Sequence, residues 1–482
     1  MRAARQIWIA FAALLFYPIL ATAGDNAAPP SPKDRRHAVA VAKVDKHADT
    51  PVSLRQMLAD AGLTFIFTYY GDGFSNPVGG IRKGPGYDAR QGTIIDGDLE
   101  KLLSLKGAVV HASIHAVHGS QYGATNLGNL MTVSAMEAPS SFRLFNLWIE
   151  QRLGKNANLR VGQFSAAQEF LVSENASLFV NNTFGWPALL SQDLPSGGPS
   201  YPEATPGARL LLKPFETLTL LAAVFNGDPA GPGLGNPVYR DPHGLAFRLR
   251  DPPLFMTEIG YAHGEDGAEI EQPLQEGTGA RVWAEPGSGP LPGRIKVGAW
   301  AHAGAFSNER LDWNGAPQAY SGAPPMRHHG DYGVYAVVDQ RLWRFAACKN
   351  CGLNIFARTM FAPSNRNPLD LYLDGGLTIK GAFASRPEDT AGLALAFTRV
   401  SPNAIAYDRD ANFYNGTRAP TRRFEATLEA TYQWALQEKW SIQPDIQYIW
   451  NPGGHVPNPR DITGLTPIHN ALVMGARTIL KF

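Results

Sequence analysis

From Leu63 onward, apolar residues recur at every second position, segment after segment. That is the pattern of a strand with two unlike faces. In LTFIFTYY, Leu63, Phe65, Phe67 and Tyr69 share one face. RLFNLWIEQ sets Phe145, Leu147 and Ile149 against Asn146, Trp148 and Glu150. RIKVGAWAH sets Ile295, Val297 and Ala299 against Arg294, Lys296 and Trp300. FEATLEATYQ and WSIQPDIQYI repeat the pattern, with Glu425, Thr427, Glu429, Gln443, Asp445 and Gln447 on the polar side. An all-β fold follows. A soluble sandwich would alternate in the same way, so the connections and strand ends have to decide.

The connections alternate too. SLKG, LGKNA, KPFE, RDPP, SRPED and LQEK read as short turns between long loops at 71–92, 119–141, 166–206, 227–243, 401–422 and 451–469. Aromatics gather at the strand ends: Tyr69 with Tyr70, Tyr432 with Trp434, Trp440, Tyr448 with Trp450, and Phe482. Short turns on one side, long loops on the other and aromatic girdles define a transmembrane antiparallel β-barrel. Closure leaves no unpaired strand edge in lipid. The strand-like segments number 17, an odd count that cannot return both ends to one side. The parity breaks between Tyr261 and Tyr332. Adding ARVWAE (280–285) as a strand gives 18; reading one segment there as a loop gives 16.

Arg2 and Arg5 precede an apolar run, Ile7 to Leu20, and Ala21-Thr22-Ala23. This predicts a signal peptide over 1–23 and export of the chain. Residues 24–52 read as a flexible lead-in. SLRQMLADAG (53–62) reads as a helix near the periplasmic mouth: Ser53 caps it, Gln56 completes the capping box, and Gly62 ends it. The barrel then spans 63–482. With 43 basic and 42 acidic residues there is no basic field for nucleic acid. Cys348 and Cys351 form one C-x-x-C with no second pair to complete a zinc site, and in an oxidising compartment they read as a local disulfide. His111 and His115 share a face that His118 does not, so the three make no metal set. No cofactor or metal is implied.

Several stretches together resemble the carbohydrate-selective outer-membrane porins of the OprB type: GDLEKL (97–102), LWIEQ (147–151), LRVGQFSAAQEF (159–170), LFVNNTFGWP (178–187), GGPSYPEATPGARL (197–210), VFNGDPAG (224–231), LPGRIKVGAW (291–300), YAVVDQ (335–340), EATYQW (429–434) and QPDIQYIWNPGG (443–454). The resemblance implies 16 strands, an outer-membrane location, and passive diffusion of monosaccharides and similar polyols. It leans towards a monomer, with a homo-oligomer open. It also implies that the closing strand, ending on Phe482, shows that aromatic to the barrel-assembly machinery. Two departures stand out: Gln168 where the family often has Asp, and a lengthened 262–293.

If Phe65 and Ile95 face lipid, the lumen receives a row of carboxylates, Asp96, Asp98 and Glu100, with Trp148 and Glu150 nearby. Arg160, Arg209, Arg248 and Glu258 fall on the polar side of their strands. Sugar hydroxyls donate to carboxylates and accept from guanidinium groups, and sugar C–H faces stack on indoles. The 166–206 loop carries Phe179, Phe184, Trp186 and Tyr201; too apolar for water, it is expected to fold back as the constriction. The rival classes are a less selective porin and a secreted glycoside hydrolase. Alternate residues on a strand lie about 7 Å apart, inside the ~5–9.5 Å that paired catalytic carboxyls need.

Overall fold

The structure, a computed structural model, describes residues 54–264, 290–345, 348 and 350–482. The expected signal peptide and lead-in, Ser53 and ARVWAE therefore lie outside the described residues. Sixteen strands close into one antiparallel barrel, each pairing with its neighbours in sequence and the first with the last. They are β1 (Leu63–Gly80), β2 (Gly84–Asp98), β3 (Ala108–Gly119), β4 (Ser141–Arg152), β5 (Ala157–Phe164), β6 (Thr205–Phe215), β7 (Leu218–Asn226) and β8 (Pro253–His263). The second half comprises β9 (Gly293–Asp312), β10 (Pro325–Arg344), β11 (Gly352–Phe361), β12 (Leu369–Lys380), β13 (Thr390–Val400), β14 (Phe424–Gln437), β15 (Trp440–Trp450) and β16 (His469–Lys481).

Alternation sorts the side chains as expected. Ile149, Val161, Ile259, Val297, Leu395 and Ile446 stand exposed on the outside, whereas Glu425, Thr427, Glu429 and Gln447 are fully buried within. In water that outer band would be an association surface; in lipid it is the solvated face. Phe145 breaks the sorting. Ser113 pairs with Asn146 but Ile114 pairs with Leu144, so Phe145 is the extra residue of a β-bulge. It turns inward onto His115, ring centroids 4.7 Å apart, instead of joining Leu147 and Ile149.

Two further expectations are corrected. The 71–92 loop is mostly ladder: β1 and β2 stay paired from Leu63–Gly97 to Asn76–Gly84. RDPP is not a turn, because residues 227–252 form one long connection between β7 and β8. The expected strand carrying Arg248 is the surplus one, and it lies upstream of the 261–332 stretch. Leu245, Phe247 and Leu249 are exposed there, so the period of two records an apolar outside without a hydrogen-bonded ladder.

A helix, α1 (Leu54–Asp60), leads into β1. Gly62 follows at φ +96°, and its carbonyl accepts from Asp98 N at 2.8 Å. A Cβ on Gly62 would sit 2.9 Å from Lys101 Cβ, so only glycine permits this close approach. The approach holds the link between α1 and β1 against the β2–β3 turn, at the short-turn end. Cys348 and Cys351 are disulfide-bonded in the β10–β11 turn. At the seam, Phe482 N donates to Phe67 O at 2.8 Å and Phe67 N to Phe482 O at 3.2 Å. Higher on the seam, Arg477 forks onto Asp72 at 2.8 and 2.7 Å.

Candidate functional site

Register alone assembles the first group of lumenal side chains. Asp96 lies opposite His111 and His111 opposite Trp148; Glu150 lies opposite Arg160 and Arg160 opposite Arg209. His111 Nδ1 donates to Asp96 Oδ1 at 2.7 Å. The imidazole stacks on Trp148, centroids 4.7 Å apart and 10° from parallel. Arg160 lies 3.7 Å from the indole centroid, a cation–π contact. Arg160 donates twice to Glu150 Oε2, at 3.0 and 2.8 Å, and Arg209 Nη2 donates to the same oxygen at 2.9 Å. Arg209 Nε donates to Glu169 Oε2 at 2.8 Å, and Arg160 Nη1 to Glu169 Oε1. Two arginines and two glutamates thus form a neutral, mutually paired cluster, three of them on β4, β5 and β6 and Glu169 from the β5–β6 connection. Trp148 is 5% exposed, so its ring is covered by protein groups instead of being left open to a sugar.

The carboxylate row expected beside this cluster does not form. Asp98 is the N-cap of a short turn helix, α2 (Leu99–Leu103), and accepts from the backbone N–H groups of Glu100 and Lys101. Glu100 lies within that helix and accepts from Gly107 N at 3.3 Å. The strand ends where Asp98 caps, so strand periodicity cannot be carried past it. Arg248, in the β7–β8 connection, pairs with Asp251 at 2.6 Å; the Asp251 hydrogen bond raises the guanidinium pKa.

Glu169 belongs to the β5–β6 connection, and this long segment runs inside the barrel. Going along it, Leu171 N donates to Glu258 at 2.9 Å, Ser173 Oγ to Asp339 at 2.6 Å, and Asn181 N to Glu429 at 3.1 Å. Arg358 donates to Thr183 O at 3.0 Å and Leu171 O at 3.3 Å while paired with Asp374. A short helix, α3 (Ala188–Asp193), follows, and Asp193 Oδ1 accepts from Leu369 N at 3.2 Å. Phe184 and Trp186 are buried. They form the core of this plug, Phe184 packing on Phe179 and Phe356, and neither lines an open passage. Glu258 lies beneath the plug, 3.5 Å from Lys296 Nζ and accepting from Tyr335 OH at 3.0 Å. A cavity between the plug and β7–β9, on the short-turn side, is lined by Gln168, Glu169, Thr219, Glu258, Arg294 and Lys296.

A second inserted segment went unrecognised in the sequence. The β3–β4 connection also enters the lumen, where Glu425 accepts from Leu130 N at 2.8 Å and Met131 N at 2.7 Å. The two segments are laced together by Ala135 N to Val180 O at 3.0 Å and Asn182 N to Thr132 O at 2.9 Å. Its signal was present: Leu127, Leu130, Met131, Val133 and Met136 make it as apolar as the segment that was recognised. Inward Glu425 and Glu429 were legible as lumenal; their use as holders of backbone amides was not.

This geometry, a 16-strand barrel plugged by its own loops, can be set beside known proteins. Residues 82–482 match the family model described as "Carbohydrate-selective porin, OprB family". The chain belongs to that family. Porin B of Pseudomonas aeruginosa is 22% identical to this porin over 454 residues, covering 88% of each chain. The solved structure titled "High pH structure of Pseudomonas putida OprB" shares its fold at TM-score 0.75 and 21% identity, covering 89% of this porin and 96% of that chain. The porin is a sugar-selective channel of the bacterial outer membrane, and its family is one of channels.

Proposed function

We propose that the channel passes monosaccharides and related small polyols by passive diffusion, with residues 166–206 as the constriction. The observation that carries this is the paired Glu150–Arg160–Arg209–Glu169 cluster, where the plug meets the wall. Paired charges present donors and acceptors together without a net field, which suits neutral hydroxyl-rich solutes better than ions. The cavity beside Glu169 and Glu258 offers the same mixture. The short-turn end is periplasmic in this reading, and Phe482 sits there for the assembly machinery. The outer aromatics face lipid. The hydrolase alternative loses its basis, since Asp98 and Glu100 face a helix and a turn. Glucose block of ion current in planar bilayers tests the proposal. Glu150→Gln, which weakens both arginine contacts, is expected to raise the half-blocking concentration about 10-fold. Wild-type current indifferent to glucose would leave the less selective porin as the better reading.

A further inference from the structure

Towards the long-loop end of the Trp148 cluster lies a layer of polar groups that the cluster does not use. Four consecutive strands contribute to it in register: Thr68 opposite Gly92, Gly92 opposite His115, and His115 opposite Arg143. Gly92 lets its neighbours meet, for a Cβ there would come within 2.6 Å of Thr68 Oγ1 and 3.7 Å of His115 Cδ2. Asn146 enters from the row below, opposite Ser113. All four polar residues are buried. Yet Thr68 Oγ1, both ring nitrogens of His115, Arg143 Nε and Nη1, and Asn146 Oδ1 have no hydrogen-bond partner among the described residues. Arg143 donates through Nη2 to Glu203 at 2.9 Å, and Asn146 through its side-chain nitrogen to Gln168 at 3.0 Å. Buried polar atoms that the protein leaves unpartnered are costly unless something completes them.

What would complete them is defined by their chemistry. Arg143 supplies the N–H donors of two nitrogens, Asn146 an acceptor, and Thr68 and His115 groups able to do either. Phe145 stacks on His115, and Tyr201 lies 5.9 Å from the same imidazole, so apolar ring carbons border the polar atoms. A sugar has that combination of hydroxyls and C–H faces. We propose that Thr68, His115, Arg143 and Asn146 form a second sugar subsite, covered by the ring of Tyr201. The proposal rests on the sugar-channel reading above and adds a place and a cover to it. Tyr201 comes from the plug, not from a strand, and its hydroxyl is held by Met136 O at 3.0 Å. In this proposal the ring swings aside to open the layer to the lumen.

The test is glucose block of single-channel current on the purified full-length porin, with heat-modifiable gel mobility confirming assembly. His115→Leu and Asn146→Leu are expected to raise the half-blocking glucose concentration about 3- to 10-fold each, while His115→Gln, which keeps a donor and an acceptor, restores block. Thr68→Val removes only a hydroxyl at constant shape and is expected to act in the same direction if a Leu variant fails to assemble. Tyr201→Phe, freed from Met136, is expected to speed the onset of block. Wild-type half-blocking concentrations in His115→Leu, Asn146→Leu and Thr68→Val would show that water alone fills the layer and overturn the subsite. Unchanged onset in Tyr201→Phe would overturn the cover. A wild-type channel without glucose block would instead overturn the reading on which the subsite depends.

Discussion

Two walls of the lumen obey the same alternation and do different work. On β10 to β15 the inward polar groups, Asp339, Arg358, Glu425, Glu429, Gln443 and Gln447, take backbone donors and acceptors of the inserted segments. On β2 to β6 the inward groups, Arg90, His111, Trp148, Arg160 and Arg209, meet side chains: Arg90 lies over Tyr70 and Tyr201, and the others form the stacked and paired cluster. The first wall is an anchorage for backbone and the second a network of side chains packed on one another. A buried carboxylate that accepts two amides has spent its capacity on the chain and has little left for a solute.

Breaking the anchorage should give the largest effect. Arg358 and Asp374 are both fully buried, and removing one partner of such a pair typically costs about 3–5 kcal/mol because the other charge is stranded. Arg358→Met is therefore expected to unseat the plug, raising conductance and abolishing sugar block while the barrel still migrates as a folded species. Folded mobility with unchanged conductance would show that the apolar core around Phe184 holds the plug unaided.

Glu137 sharpens the comparison, being an anchor supplied by an inserted segment itself. It accepts from Gly123 N at 2.7 Å and Ala124 N at 3.0 Å, and burial raises its pKa from 4.5 to about 7. The folded segment thus holds the proton more tightly than the unfolded one. Its contribution is complete below 4.5 and is lost as pH rises through about 7. Flicker of the open-channel current is expected to increase across that window, and Glu137→Gln should flatten the dependence. The smallest effect belongs to Glu100→Gln at the turn helix. Sugar block is expected to stay unchanged, with stability shifted by less than about 0.5 kcal/mol; a weakened block would restore Glu100 to the passage.

The legible part of this molecule is what a period of two controls. Strand faces, the closing strand and the polar side of Glu150, Arg160 and Arg209 follow from alternation, while their pairing needs the register. The illegible part begins where a residue leaves that period. Phe145 changes face at a bulge, and Asp98 and Glu100 pass from strand to helix between neighbouring residues. Arg248 imitates a strand because one side of its segment is apolar. The 166–206 segment betrayed itself by carrying aromatics a water-exposed loop would not keep. Its docking onto Glu429 and Arg358, more than 150 residues away in sequence, leaves no local trace. Nor could spacing reveal that Trp148 is covered, since its covering groups come from β3 and β5.

The seam has a consequence for how the molecule comes into being. Asp72 and Arg477 are separated by 405 positions, so their contact closes a loop as long as most of the chain, and such contacts are the slowest to form. Until it exists, β1 and β16 are both open edges, with no water in the bilayer to occupy their backbone groups. The first and last strands to be made are thus the ones that most need a temporary partner, and each serves in the end as the other's relief.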